Sequence, residues 1–410
     1  MIFVYNLLIA AIWKLLLVIY KFHPKLKLFV EGREDTFPIL KHELKLKDKV
    51  IWVHAASLGE FEQGLPIIEK LREGHPNYTI LLTFFSPSGF EIKKNTAAAD
   101  IVTYLPWDTK SNVGLFLDLV QPSLVVFIKY DIWPNYLLIL QERKIPAFLI
   151  SARFYKKQIF FSWYGSFMRN VLSSFGHIYV QDKSSQTLLK TININNTTVA
   201  GDTRLDRVLS ILDQDNTLGF MELFTKGQCI VAGSTWAEDE EVLIPYINNC
   251  TLPVTFVIAP HEINEQHIAR LQTAITKKTT RYTKLEHSNL ESTEVLIIDA
   301  IGLLTKIYSY ATLSYVGGGF KTGLHNILEP AVFGIPVIIG PHYDNFIEAK
   351  ELVQLGGVLP ISDSENLREK LNDLLATTTL RNEIGNINKT YIIKSKGAST
   401  IILKGIASYL

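Results

Sequence analysis

Cysteine is almost absent from this chain. Cys229 and Cys250 are the only two in 410 residues, which excludes a disulfide framework and a cysteine-based zinc site and fits a reducing compartment. Neither sign of charge is in excess. Lys plus Arg number 41 and Asp plus Glu 40, so no basic surplus points to nucleic acid. The chain has no Walker A loop, no G-x-G-x-x-G with a following acidic ribose partner, no G-x-S-x-G elbow and no H-E-x-x-H. Neither nicotinamide chemistry nor serine hydrolysis is supported by what remains. Repeats of solenoid period and low-complexity tracts are also missing.

What is present begins with an apolar amino end. Residues 1–20 carry one charge, Lys14, and about twenty apolar residues can span a bilayer. A signal peptide is disfavoured, because there is no basic n-region and no small-residue cleavage site. Lys21, Lys25, Lys27 and Arg33 come directly after and hold that flank on the cytoplasmic side. The expectation is a membrane-anchor helix over 1–22, with Lys14 leaving open a helix that lies in the interface. A buried helix of the first domain is the alternative.

From residue 50 onward short apolar runs alternate with helix-length segments. Strands are expected at 50–55, 79–84, 101–105, 124–128, 147–150 and 178–180. A second series falls at 229–232, 254–259, 295–298, 312–316, 337–339 and 358–361. Such alternation predicts mainly parallel sheets with helices on both faces. The polar stretch after Arg204 interrupts the rhythm and reads as a connection. The expected organisation is an α/β fold of two Rossmann-like, doubly wound domains facing across a cleft. The first covers 23–205, a linker 206–227, the second 228–385. A helical segment over 386–410, broken near Gly397, is free to pack back on the first domain.

The candidate chemistry lies where strands should end. The run from Val316 to Phe346 reads strand, Gly317-Gly318-Gly319, helix, strand. Glycines without a Cβ let backbone N–H groups close on a phosphate, and a helix opening near His325 or Asn326 would aim its positive end there. Glu329, one turn in, is placed for a ribose diol. Ser57-Leu58-Gly59-Glu60 sets a carboxylate at a helix start, as a base or merely as a cap. Lys129-Tyr130-Asp131 comes after an apolar strand. Ser234-Thr235 after Gly233 can cap a helix or bind phosphate, and His261 can meet a phosphate or sit as a capping residue. The acidic run Glu238 to Glu241 reads as a charged helix start. The segment from Arg153 to Arg169 interleaves aromatics with basic residues, which suits a lipid headgroup region or the domain's own core.

Taken in order, W-V-H-A-A-S-L-G-E (52–60), W-P-N (133–135), S-A-R (151–153), G-S-T (233–235), L-H-N-I-L-E-P (324–330) and G-P-H-Y-D-N-F (340–346) resemble the Kdo transferases. These enzymes attach 3-deoxy-D-manno-octulosonic acid (Kdo) to lipid A precursor in Gram-negative bacteria. The similarity runs over most of the chain. It implies a glycosyltransferase B fold, CMP-Kdo as donor, lipid A precursor as acceptor, an inverting reaction without metal or other cofactor, and residence at the cytoplasmic face of the inner membrane. It implies Glu60 as general base, and CMP held by residues matching Ser234, Thr235, Gly318, Asn326 and Glu329. Gly317, Gly319, Lys321 and His261 complete the expected donor side. Ser57, Gly59, Lys129, Asp131 and Arg153 are expected on the acceptor side. The chain departs from the family at three places. Lys129 and Asp131 stand where two glutamates are common, Ala259-Pro260-His261-Glu262 lacks the arginine of a Pro-Arg-His, and Trp236 replaces a histidine. A UDP-sugar glycosyltransferase or epimerase of the same fold, and a non-catalytic membrane-tethered nucleotide-sugar binder, are the alternative functions.

Overall fold

The apolar runs assemble into two seven-stranded sheets in a computed structural model that describes residues 1–45 and 49–410. In the first unit the strands are β1 (Lys49–Ala55), β2 (Tyr78–Phe84), β3 (Ile101–Tyr104), β4 (Pro122–Ile128), β5 (Ala147–Ala152), β6 (His177–Val180) and β7 (Thr197–Val199). Their order is β3-β2-β1-β4-β5-β6-β7 and every pairing is parallel. The second unit has β8 (Gln228–Thr235), β9 (Val254–Pro260), β10 (Thr279–Arg281), β11 (Val295–Ile297), β12 (Leu313–Val316), β13 (Val337–Ile339) and β14 (Val358–Pro360). They are parallel in the order β10-β11-β9-β8-β12-β13-β14. The expected α/β class and paired doubly wound sheets are thus found. Two short edge strands, β7 and β10, carry too many threonines and too few apolar residues to read as strands from sequence alone.

Near-continuous apolar runs form these strands because helices cover both faces of a parallel sheet. Along β1, Val50 and Trp52 join one core with Phe116, Phe127 and Tyr136. Ile51 and Val53 join the other, with Phe61, Ile68 and Phe84. The second unit has its own two cores, one around Tyr315 and Phe256 and one around Phe224 and Tyr308.

The chain divides into residues 1–207 with 396–410, and residues 208–395. The expected linker 206–227 spans that boundary. It holds the end of helix Thr203–Leu209 and all of helix Gly219–Phe224, whose Met221 and Phe224 are buried in the second unit's core. The expected terminal segment 386–410 is also divided. Residues up to 394 continue helix Thr378–Lys394, where Asn388 donates to the carbonyls of Ile335 and Gly357, both at 2.8 Å. Only the helix Ala398–Ile406 and the last few residues beyond it belong to the first unit. Ile402 and Ile406 are wholly buried there, and the Asp206 carboxylate accepts from the N–H groups of Gly397 and Ser399, both at 2.6 Å. Gly397 sits at φ 110°, which ends one helix and opens the next at little cost only for glycine.

Helix α1 (Ile2–Ile19) is the one element among the described residues long and apolar enough to cross a membrane. It is not a bare tether. Tyr5 Oη donates to Asp108 Oδ2 at 2.6 Å, Asn135 Nδ2 to Asn6 Oδ1 at 2.8 Å, and Trp107 Nε1 to the Ile9 carbonyl at 3.0 Å. Trp13 stacks on Trp107 at 5.1 Å. The opposite stripe, with Phe3, Leu7, Leu8, Leu15 and Val18, is exposed.

Candidate active site

Each sheet reverses its winding beside its first strand, and open α/β sheets bind ligands beyond the carboxyl ends of the strands at that point. In the first unit the reversal lies between β1 and β4. Residues 56–60 and 129–131, distant in sequence, leave these neighbouring strands side by side. In the second it lies between β8 and β12, which brings Ser234, Thr235 and Trp236 next to Gly317 and Gly318.

On the first unit, Ser57 is the N-cap of helix α2 (Leu58–Gly74) and Glu60 lies in its first turn. The Ser57 hydroxyl donates to Glu60 Oε2. Lys129 Nζ lies 3.5 Å from Glu60 Oε1, on a left-handed backbone with φ 68°. The Glu60 side chain is only 17% exposed, so the pair is partly shielded from water. Gly59 is exposed, and a Cβ there would meet nothing closer than Ser57 Oγ at 3.8 Å. Packing within the unit does not require glycine at that position. Asp131 is buried, and burial together with the Glu60 charge pushes its carboxyl up to about 8. Behind it His54, wholly buried, places Nε2 at 3.5 Å from Asp131 Oδ2, and burial pushes the imidazole down to about 3. Arg153 pairs with Asp182 at 3.3 Å and lies over the Tyr155 ring, beside Tyr130, which also faces Glu60.

The basic and aromatic segment is partly core and partly exposed. Phe154 and Phe160 are core, whereas Trp163 is 90% exposed, with Tyr155, Ile159 and Tyr164 also open to solvent.

On the second unit the three glycines do something other than expected. All three are buried. A Cβ on Gly317 would lie 2.3 Å from the Ser234 carbonyl, on Gly318 2.2 Å from the Gly323 carbonyl, and on Gly319 2.7 Å from the Gly340 nitrogen. The Gly317 N–H donates to the Gly233 carbonyl at 2.9 Å and the Gly318 N–H to Asp239 Oδ2 at 2.8 Å. Their smallness serves backbone packing, and these two N–H groups are already used by the protein, not left for a phosphate. Asp239, read from sequence as part of a charged helix start, is fully buried at the head of helix α3 (Ala237–Asn249). It also accepts from the Trp236 N–H at 2.9 Å and the Tyr315 hydroxyl at 2.6 Å. Thr235 is buried and turned inward, donating to Glu240 Oε1 at 3.1 Å. Ser234 is half-buried, at φ 54°.

The helix expected from residue 325 or 326 begins later. It covers Leu328–Val332, so Glu329 lies in its first turn, and a five-residue helix carries little dipole. Glu329 accepts from Thr305 Oγ1 at 2.8 Å and Asn326 Nδ2 at 3.0 Å. Lys321 is exposed and paired with Glu238 at 2.8 Å. Trp236 and His325 lie edge to edge, nearly coplanar, with Trp236 Nε1 donating to His325 Nε2 at 2.9 Å, and the exposed His261 ring stacks against both, at 4.6 Å from Trp236 and 4.5 Å from His325. Burial and the neighbouring His261 push His325 down to about 4, so it is a neutral acceptor. A groove of about 580 Å³ opens beside these rings, lined by Trp236, Glu238, Asn264, Arg270 and Lys321.

Three residues central to this geometry, His54, Asp239 and His325 as an acceptor, were not singled out from sequence. His54 had a weak signal as a polar residue inside an apolar strand, whereas Asp239 had none within its acidic run.

Residues 32–207 match the family model of 3-deoxy-D-manno-octulosonic-acid transferase (kdotransferase). A 3-deoxy-D-manno-octulosonic acid transferase of Rickettsia bellii is 29% identical over 84% of this chain and 85% of its own length. One from Aquifex aeolicus is 29% identical over 82% and 89%, respectively. Among solved structures, a UDP-GlcNAc 2-epimerase from Neisseria meningitidis bound to UDP-GlcNAc aligns with TM-score 0.63 at 17% identity, over 88% of this chain and all (100%) of that one. The calicheamicin glycosyltransferase CalG4 aligns with TM-score 0.57 at 14% identity, over 89% and 99%. These two likenesses are of fold.

Proposed function

We infer the reaction from one premise: this chain is a divergent member of the Kdo transferase family, a glycosyltransferase of lipopolysaccharide synthesis. The donor is CMP-Kdo and the acceptor a hydroxyl of lipid IVA, the lipid A precursor. Glu60 removes the proton of that hydroxyl as its oxygen attacks the anomeric carbon of Kdo, and CMP departs with inversion. The observation that carries this reading is the setting of Glu60. It stands at the first turn of α2, at the winding reversal of its sheet, oriented by Ser57 and faced by the Lys129 ammonium. A helix amino end and a nearby cation both attract and orient a carboxylate at this place.

On the second unit Ser234, His261, Lys321, Asn326 and Glu329 hold CMP, with Glu329 on the ribose. Thr235, Gly317, Gly318 and Gly319 support them from behind, as their buried contacts suggest. CMP leaves as a stabilised phosphate monoester, so neither a strong general acid nor a metal is needed. The acceptor is an amphiphile, and the protein meets it at the cytoplasmic face of the inner membrane through α1 and the exposed Trp163 and Tyr164.

Glu60→Gln tests the reading. The substitution keeps the shape and removes the base, so kcat for Kdo transfer to lipid IVA should fall roughly 10²–10⁴-fold. CMP affinity by calorimetry should stay near that of the unaltered protein, and wild-type turnover should persist in EDTA. Transfer by folded Glu60→Gln at close to the normal rate would rule out this base. Binding of UDP-sugars in preference to CMP-Kdo would rule out this donor.

A further inference from the structure

Two buried polar atoms face each other behind Glu60 with no other hydrogen-bond partner among the described residues: His54 Nε2 and Asp131 Oδ2, 3.5 Å apart. The strand pairing puts them there. His54 on β1 is in register with Phe127 on β4, and Asp131 comes off the end of β4 toward the same sheet face. The other ring nitrogen is occupied, with Nδ1 at 2.8 Å from Thr83 Oγ1 and 3.1 Å from the Thr83 carbonyl. A carbonyl only accepts, so the partners assign the proton of a neutral imidazole to Nδ1 and leave Nε2 a bare acceptor.

The charged neighbours of Asp131 are few. Glu60 faces it from α2, His54 from β1, and the Ala56 N–H donates to it. Lys129, two residues before it, directs its ammonium to Glu60. Arg33 acts on His54 at longer range, with its guanidinium donating to the carbonyls of Phe29 and Phe85 at 2.6 and 2.7 Å. An ionised Asp131 would therefore oppose a bare nitrogen on one side and a second carboxylate on the other. One lysine would be left to balance two anions in a setting partly shielded from water. A protonated Asp131 instead donates to the nitrogen that lacks a donor.

We propose that Asp131 is a positioning residue for Glu60. It remains a neutral acid at neutral pH, with its proton directed to His54 Nε2, and so leaves Glu60 the sole anion beside Lys129. This rests on the reading of Glu60 as base. Burial and the Glu60 charge raise the Asp131 carboxyl to about 8, which agrees with the geometry. As pH rises through that range, a second buried anion appears. It competes for the Lys129 charge and disturbs the orientation of Glu60, so kcat of the wild type should fall on the alkaline side.

Two measurements test this. In Asp131→Asn the amide can donate to Nε2 as the acid does, so kcat at pH 7 should stay within about fivefold, the worth of one hydrogen bond. KM for CMP-Kdo should be unchanged, and the alkaline fall of kcat expected of the wild type should vanish. A properly folded Asp131→Asn that loses roughly 10²-fold or more at pH 7, or that keeps the alkaline fall, overturns the proposal. The second measurement needs no activity. Infrared difference spectra on alkaline titration should show a protonated buried carboxyl that ionises near that pH in the wild type and at a lower pH in Glu60→Gln, where the Glu60 charge is gone and burial alone raises it. Absence of that band in the wild type overturns the proposal even if Asp131→Asn does not fold. If Glu60→Gln remains active while its band is intact, the base assignment fails and the neutral acid stands.

Discussion

Lys129 sets the local charge of the candidate site, because its ammonium lies 3.5 Å from the carboxylate that would accept a proton. Replacing it with glutamate brings a second carboxylate against Glu60, and like charges at that range raise a carboxyl pKa. Lys129→Glu should therefore shift the acid limb of the pH–rate profile upward and lower kcat below neutrality, with CMP affinity unaltered. A profile superimposable on the wild type would make Lys129 a bystander. The residue types of this site were legible in sequence, since Glu60, Lys129 and Asp131 each stand just after an apolar run. Their partners were not. Nothing local indicates that Asp131 meets His54, because their contact depends on β1 and β4 being neighbours. Likewise the glycines after β12 advertised an open loop. Only the approach of the Ser234, Gly323 and Gly340 backbones shows them to be packing residues.

At the level of elements, α1 divides its surface between protein and surroundings. Tyr5, Asn6, Ile9 and Trp13 hold it to the first unit. Leu8 and Leu15, 56% and 59% exposed, touch a different medium. Deleting the helix would uncover Trp107 and remove the partners that Tyr5 and Asn6 give Asp108 and Asn135, mixing loss of attachment with loss of fold. Charging the outer stripe separates the two. Leu8→Lys with Leu15→Lys should move the protein from the membrane pellet to the supernatant while Tm hardly changes, since burying a charge in a bilayer costs about 2.5–3.5 kcal/mol per residue on insertion scales. Pelleting as before would exclude the outer stripe of α1 as the membrane contact. The apolar composition of this segment was readable at once, whereas its docked stripe was not, because polar anchors such as Tyr5 and Asn6 acquire meaning only beside Asp108 and Asn135.

For the molecule as a whole, the last residues matter more than their place in the chain suggests. The helix Ala398–Ile406 returns to the first unit, where Ile406 is wholly buried with Ile402 and Ile67, while the second unit keeps cores of its own. Ile406→Ala should destabilise the first unit by about 2–5 kcal/mol. CMP binding by the second should be retained, so that denaturant unfolding separates into two transitions. A single transition, with CMP affinity lost in parallel, would show that the units do not unfold independently.

Some properties of this protein follow from the order of its residues alone. Apolar runs at strand length alternate with helix-length segments, and periodicity is local, so the order of residues suffices for the two parallel sheets and their class. The apolar amino end and the motifs shared with Kdo transferases are equally matters of local order. Other properties arise only in the assembled chain. Which strand neighbours which, where the chain passes from one unit to the next, the burial of Asp239 and the meeting of His54 with Asp131 all depend on contacts between residues far apart in sequence. A buried polar atom takes its chemistry from the partner that folding brings to it, and the local pattern around it does not name that partner.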